Sequence, residues 1–335
     1  MSTEALNYPC ATFGPLKIPY YSLVENPENP YEENEVEVIV LKGKFKIPDE
    51  NVKKFMEKNV RKRKKQAEIE GKVFYDGAMA RLYNFVVNDE DHKLTLYEQL
   101  TTFFTRVFTN NSLDEDVVWQ MVEKRGTEYT NLDDGLANPI GNNVLVLTQD
   151  GYVILNKRSD KLAQYPGLYG ILPAGFTVPI KEEDGKIKEI DGFNQFNTAR
   201  REAIEELGVK KLKNLELLGF GRAGDDRHVE FQFLAETDYT VNEVLSAPKS
   251  SKYEAQEIIP VEFSPEKLAP YLTKTIKDVP KGAVKRGNVW IPERSPTWVP
   301  AQNKLVIDAL IKEYGFDKVY KAIEDAFYSY AKPKI

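Results

Sequence analysis

The sequence predicts a mixed α/β fold in two parts. Three observations carry this expectation: short apolar runs of strand length, longer amphipathic stretches of helix length, and a turn-rich break between two segments of different texture. The break is Asn131-Leu132-Asp133-Asp134-Gly135, so the expected domains are 1–135 and 136–335. At 335 residues the chain has room for two cores. Its 41% apolar and 29% charged content is that of a globular protein.

In the first part, Val36 to Leu41 and Val73 to Tyr75 read as strands. Asp49 to Glu70 reads as a helix, with Pro48 ahead of it and Asp49 as its cap. A polar run, Arg61-Lys62-Arg63-Lys64-Lys65, lies on that helix. Leu113 to Lys124 is a second amphipathic stretch, closed by Gly126. In the second part, Val144 to Leu147 and Val153 to Leu155 flank Gln149-Asp150-Gly151 and predict a hairpin. Tyr165 to Phe176 is rich in glycine and proline and reads as a shaped loop. Phe176 to Ile190 predicts another hairpin, turning at Asp184-Gly185. Asn194 to Leu207 is a helix stopped by Gly208. Strands follow at Leu217 to Phe220 and Val229 to Leu234, and helices at Ala301 to Tyr314 and Asp317 to Tyr330.

Several function classes are disfavoured. No run approaches the roughly 20 apolar residues of a membrane span. The start, MSTEALNYPCATFG, has neither the basic region nor the apolar run of a secretory signal. Cys10 is the sole cysteine, which excludes an internal disulfide and makes a cytoplasmic location the expectation. His92 and His228 are too few histidines for a Cys/His zinc site. A net charge of −6 disfavours a dedicated nucleic-acid binder, and a solvated helix face is the simpler account of the Arg61 to Lys65 run.

The chemistry concentrates in Arg201-Glu202-Ala203-Ile204-Glu205-Glu206-Leu207-Gly208-Val209. Residues three and four apart share a helix face, so Glu202, Glu205 and Glu206 fall within an arc of roughly 100°. Phe196, Ala203, Ile204 and Leu207 fall opposite and can anchor the helix to a sheet. Like charges so placed repel, and a hard divalent cation offsets that repulsion. Mg²⁺ or Mn²⁺ held there can neutralise a diphosphate and lower the pKa of an attacking water. Arg201 can pair with one carboxylate. An ordinary solvated acidic face is the competing account of the helix alone.

This nonapeptide resembles the core of the Nudix box, R-E-U-x-E-E-x-G-U with U apolar, and Leu172-Pro173-Ala174-Gly175 resembles the L-P-G-G segment upstream of it. The resemblance implies a Nudix α/β/α sandwich with a mixed sheet over about Asn138 to Phe263, joined to a smaller N-terminal α+β domain. It implies Glu205 and Glu206 as metal ligands, Glu202 as ligand or base, Arg201 as the group that orients a glutamate, and Gly175 as a substrate-side residue. Two positions depart from the pattern. Gly175 to Arg201 spans 201 − 175 = 26 positions where the family has about fourteen. Phe193 stands where the family carries a glutamate, with Glu182, Glu183 or Glu189 as substitutes. Family relatives that isomerise isopentenyl diphosphate use Cys and His, which Cys10 and His228 cannot supply together.

The implied activity is divalent-metal-dependent hydrolysis of a nucleoside diphosphate linked to another group. Tyr75-Asp76-Gly77-Ala78-Met79-Ala80-Arg81-Leu82, Thr109-Asn110 and Asn138-Pro139-Ile140-Gly141 resemble the branch acting on UDP-glucose and UDP-galactose, which yields UMP and sugar 1-phosphate. Alternatives are an ADP-ribose, dinucleotide or RNA-cap Nudix hydrolase, and a sensor that binds a nucleotide without turnover. Arg81, Arg158 and Arg222 are the candidate substrate contacts, with Arg227 beside them. Glu230 is the candidate further metal ligand or base, with Glu254 and Glu257 as rivals. Period two puts His228, Glu230 and Gln232 on one face of their strand and Val229, Phe231 and Phe233 on the other. Tyr165, Tyr169 and Phe176 can stack a base. The expected partner is a small nucleotide, and the oligomeric state is open, a homodimer included.

Overall fold

The structure is a computed structural model that describes residues 10–71, 74–160, 165–179, 193–224, 226–249, 255–274, 285–286, 289–290 and 297–331. It begins with three short strands, β1 (Ala11–Phe13), β2 (Leu16–Ile18) and β3 (Tyr20–Glu25), followed by β4 (Val36–Lys44). Helix α1 (Glu50–Ile69) starts where the Asp49 side chain accepts from the Asn51 and Val52 amides, as its sequence predicts. Strands β5 (Ala78–Asn88) and β6 (Lys93–Thr102) come next, then α2 (Phe103–Phe108) and α3 (Asp116–Arg125), which Gly126 closes. Residues Phe74 and Tyr75, expected in a strand, lie before β5 in a loop. Phe74 stacks on Phe104 at 4.6 Å, and Asp76 caps α2 through the Phe104 amide.

The remaining elements are β7 (Ile140–Leu147), β8 (Tyr152–Arg158), β9 (Tyr169–Ile171), β10 (Ala174–Phe176), α4 (Gln195–Glu202), β11 (Lys213–Ala223), β12 (Val229–Glu236), α5 (Val241–Ser246), β13 (Ala255–Glu262), α6 (Pro265–Leu272), α7 (Pro300–Tyr314) and α8 (Phe316–Ala331). A five-stranded mixed sheet has the order β10-β7-β12-β11-β3, and β7 and β12 run parallel within it. Smaller sheets are β13-β8-β9 and β4-β6-β5. The chain does turn between β7 and β8, with the Gly151 amide on Thr148 O. The expected hairpin nevertheless does not form. The edges of β7 are taken by β10 and β12, so β8 pairs with β9 and β13 in another sheet. The second expected hairpin, Phe176 to Ile190, lies largely outside the described residues.

Two apolar layers hold the five-stranded sheet. One side buries Val144, Phe231 and Phe233 against Phe196, Ala199, Ala203 and Leu207, and continues into Leu82, Leu94 and Leu96 of the β4-β6-β5 sheet. The other buries Leu145 and Leu218 against Leu305, Val306 and Leu310 of α7. The mixed α/β sandwich is therefore present. Across the expected boundary at 135/136, β3 extends the main sheet beside β11, and the first layer draws residues from both parts. Among the described residues no helix is long and apolar enough to cross a membrane.

One buried carboxyl ties the two sheets together through α4. Glu98 of β6 is fully buried and accepts from the Gln195 amide at the start of α4. Burial pushes its carboxyl up to about 8, against the opposing effect of the Gln195 hydrogen bond. The unfolded chain releases this proton near pH 4.3. Between the two values the native state binds the extra proton, so stability falls as pH rises through that window. Glu98→Gln keeps the bond to Gln195 without a charge. It is expected to flatten that slope and to stabilise the protein at pH 8 by on the order of a few kcal/mol, read as melting temperature against pH. An unchanged slope would contradict this origin.

Candidate active site

The candidate helix forms for local reasons. The Asn194 side chain caps α4 by accepting from the Asn197 amide, and Gly208 ends the helical stretch in the left-handed region at φ 70°. Phe196, Ala199, Ala203 and Leu207 make a buried stripe, and the Phe196 ring meets Phe233 edge-on at 5.0 Å. Phe193, where the resembled family carries a glutamate, is 2% exposed and belongs to the same apolar layer. Of the three substitutes for that glutamate, Glu182, Glu183 and Glu189, all lie outside the described residues.

The last turn departs from the expected geometry. Ala203–Leu207 is π-helical, which advances about 80° per residue in place of about 100°. This rotates Ile204, expected in the core, to 47% exposure. It also separates Glu205, which is half-buried, from Glu202 and Glu206, which are each 7% exposed.

Glu202 and Glu206 both dock on β10. The Glu206 carboxylate accepts from the Ala174 amide at 3.0 Å. Glu202 accepts from Arg201 Nη2 at 2.6 Å, and the same nitrogen donates to Phe176 O at 3.2 Å. Gly175 lies directly beneath Glu202: a Cβ there would overlap the carboxylate. The Leu172 to Gly175 segment and the acidic helix are thus brought into contact.

Among the described residues no three His, Cys, Asp or Glu side chains are drawn together in a form that could hold a metal ion. The Glu202–Glu206 pair still fits Mg²⁺ or Mn²⁺ in donor chemistry. These are hard cations, and Mg²⁺ commonly takes one or two carboxylates and completes its shell with water and substrate phosphate oxygens.

Glu230 does not belong to this set. Gly141 is the register partner of both Phe176 and Glu230, whereas Gly175 is the partner of Asn142. Adjacent residues of a strand point to opposite faces. A Cβ on Gly141 would meet the Glu230 carboxylate, and one on Gly175 would meet Glu202. The sheet therefore stands between the two acids, and the expected metal role of Glu230 is corrected. Its rival Glu257 is exposed on β13, and Glu254 lies outside the described residues.

On its own face Glu230 accepts from His228 and from Asn143 Nδ2 at 2.7 Å. His228 also bonds Asp226, and Gln302 of α7 donates to Asn143 at 2.8 Å. Burial alone would favour a neutral His228 ring, but Asp226 and Glu230 on either side hold it well above the ordinary imidazole range. Arg106, 5% exposed, lies 3.9 Å from Asp226 and 4.5 Å over the Phe176 ring. Sequence reasoning missed Arg106, Asn143 and Gln302. The available signal was a lone arginine inside the apolar run Phe103 to Phe108.

Two of the three candidate substrate arginines are structural. Arg222 is fully buried and donates to Arg227 O, Tyr129 O, Asn131 O, Asp134 and Asn138, which uses all five of its N–H groups. Arg81, 1% exposed, donates to Leu132 O and Leu136 O and lies 4.4 Å over the Phe45 ring. The structure therefore does not support the expected roles of Arg81 and Arg222 as substrate contacts: both are buried, and Arg222 has no donor left. Arg158 is half-buried at the end of β8. Tyr165 is buried beside Leu168 and Val299, while Tyr169 packs on Tyr271 and Trp298.

No family model and no curated protein matches the chain. Similar solved structures include the MutT Nudix hydrolase from Burkholderia pseudomallei, at 21% identity over 37% of this chain and 82% of that chain, with a TM-score of 0.25. The Nudix domain of Shewanella oneidensis NrtR complexed with ADP ribose is 19% identical over 36% of this chain and 70% of that chain, with a TM-score of 0.25. The MutT protein from Methanosarcina mazei Go1 is 20% identical over 36% and 73%, with a TM-score of 0.23.

Removing Arg222 would take from buried Asp134 its ion-pair partner at 2.7 Å and leave Arg227 at 3.9 Å. Arg222→Ala is expected to cost about 3–5 kcal/mol, seen as a fall in the denaturation midpoint. A variant of wild-type stability with raised KM would restore the substrate role.

Proposed function

We propose that the chain hydrolyses the diphosphate link of a nucleoside diphosphate joined to another group, with Mg²⁺ or Mn²⁺. The observation that carries this reading is the docking of Glu202 and Glu206 on Ala174 and Gly175, within a helix of the R-E-x-x-E-E-x-G pattern. Glu202 and Glu206 would hold the cation, which would supply charge neutralisation for the diphosphate and an activated water. Arg201 keeps the Glu202 carboxylate turned toward β10 and is itself anchored on Phe176 O. The Ala174 amide fixes the direction of Glu206. Glu205, one position before Glu206, is a third acidic group for water-mediated contact, and Arg158 is the remaining candidate phosphate contact.

For the linked group we propose a hexose, giving UMP and sugar 1-phosphate. The D-G-x-x-x-R-L, T-N and N-P-x-G strings support this through a shared architecture rather than through ligand contact. Asn110 bonds the Asn138 amide and Asp226 O, and the Thr109 hydroxyl accepts from the Ala137 amide. The three strings thus build the junction that seats α2, and with it Arg106, against the sheet.

Glu206→Gln and Glu202→Gln preserve size and hydrogen bonding while removing charge. Each is expected to lower kcat by at least about 10²-fold, with a melting temperature close to that of the parent. Steady-state hydrolysis of UDP-glucose, UDP-galactose and ADP-ribose with Mg²⁺ checks this. Full turnover by either variant would remove the assigned metal role. Preference for ADP-ribose over both UDP-sugars would overturn only the hexose assignment.

A further inference from the structure

The net charge of −6 conceals a strong asymmetry. Helix α1 carries eight basic residues, Lys53, Lys54, Lys58, Arg61, Lys62, Arg63, Lys64 and Lys65, against Glu50, Glu57 and Glu68. Its balance is 8 − 3 = +5, so the rest of the chain stands at −6 − 5 = −11. Lys53 pairs with Glu50, and Arg61 with Glu57 at 3.7 Å. Among the described residues no carboxylate pairs with Lys54, Lys58, Lys62 or Lys65, all of which are exposed. At spacings of three and four they share one face of the helix, where like charges repel. The counter-charge for this face must come from outside the chain.

Beside the stripe lies a groove of about 470 Å³ between α1, the end of β4 and the start of α2. Its floor is apolar, from Phe45, Ile47, Met56 and Phe104, and its rim carries Lys44, Lys46, Lys53 and Arg61. Of the two acids that line it, Asp76 is engaged with the Phe104 amide and Glu57 with Arg61. Tyr75, next to Asp76, is 72% exposed, and its ring lies 3.6 Å from where a Cβ on Gly77 would sit. A basic track, a recessed apolar floor and an exposed aromatic ring are the elements that hold a single strand by its phosphates and bases.

We propose that this face of α1 and the adjoining groove bind single-stranded nucleic acid, with phosphates on the Lys54, Lys58, Lys62 and Lys65 stripe and a base on Tyr75 or in the groove. A bilayer fits less well. Its insertion requires apolar groups that stand out beyond the basic ones, whereas Phe45, Ile47, Met56 and Phe104 are recessed beneath a lysine rim. The surface lies outside the α4–β10 site, and its occupancy does not depend on the hydrolytic reading.

Fluorescence anisotropy of the full chain with a labelled single-stranded RNA of about 12 nucleotides tests this, against anionic phospholipid vesicles and inorganic polyphosphate. Binding is expected to weaken with salt at a slope of roughly −2 to −3 in log K against log[salt], as for three or four neutralised phosphates. Lys58→Glu with Lys62→Glu should raise Kd at least about tenfold, and Tyr75→Ala about fivefold or more. All three positions are exposed, so melting temperatures should stay at the parent value. Glu202→Gln should leave binding unchanged. RNA affinity insensitive to the double variant would overturn the proposal. So would binding to vesicles alone, or equal affinity for polyphosphate with Tyr75→Ala silent.

Discussion

The absence of a side chain at position 175 is the constraint on which the candidate site depends. Glu202 and Glu206 come from a helix on one side of the sheet and must reach its edge strand, β10, closely enough to act together. Only a residue without Cβ leaves room for the Glu202 carboxylate there. The helix is held at that distance by its own apolar stripe, from Phe196 to Leu207, packed on Phe231 and Phe233. The π-helical turn then selects which acids face the strand, keeping Glu202 and Glu206 inward and turning Glu205 aside.

Strand β10 works on both faces. Gly175 supports the acidic pair, while Phe176 meets His228 and Arg106 on the other side. The second face is a buried polar chain, Asp226–His228–Glu230–Asn143–Gln302, whose hydrogen bonds link β12, β7 and α7. Burying these groups is tolerable because each bonds another member of the chain. The junction around Arg222 follows the same rule, with one guanidinium saturating the carbonyls and carboxylate of residues 129–138. The segment read as a break between domains supplies the Asn131 carbonyl and the Asp134 carboxylate that Arg222 binds.

Features set by local chemistry were legible in the sequence. The cap at Asp49, the stops at Gly126 and Gly208 and the alternation along β12 all depend on near neighbours. The Leu172 to Gly175 segment and the acidic helix were each legible through resemblance, though not their contact. Features set by distant partners were not. Arg81 and Arg222 look like phosphate ligands in a one-dimensional reading, and only the carbonyls they meet from residues 129–138 show otherwise. Alternation placed Glu230 correctly beside His228, but not relative to α4, since parity within a strand does not say which face a helix covers. The split of β7 and β8 into different sheets depends on which strands already occupy the edges of β7. The basic run of α1 was visible, whereas the groove beside it requires three separate segments to meet.

The most direct test of the account is Gly175→Ala, measured as kcat with Mg²⁺ on whichever nucleoside diphosphate conjugate the parent protein cleaves, alongside the melting temperature. The added methyl group must displace the Glu202 carboxylate from β10. The account predicts a loss of turnover of about 10²-fold or more with only a modest change in melting temperature. Parent-level turnover in this variant would contradict it, because the acidic pair would then not need its seat on β10.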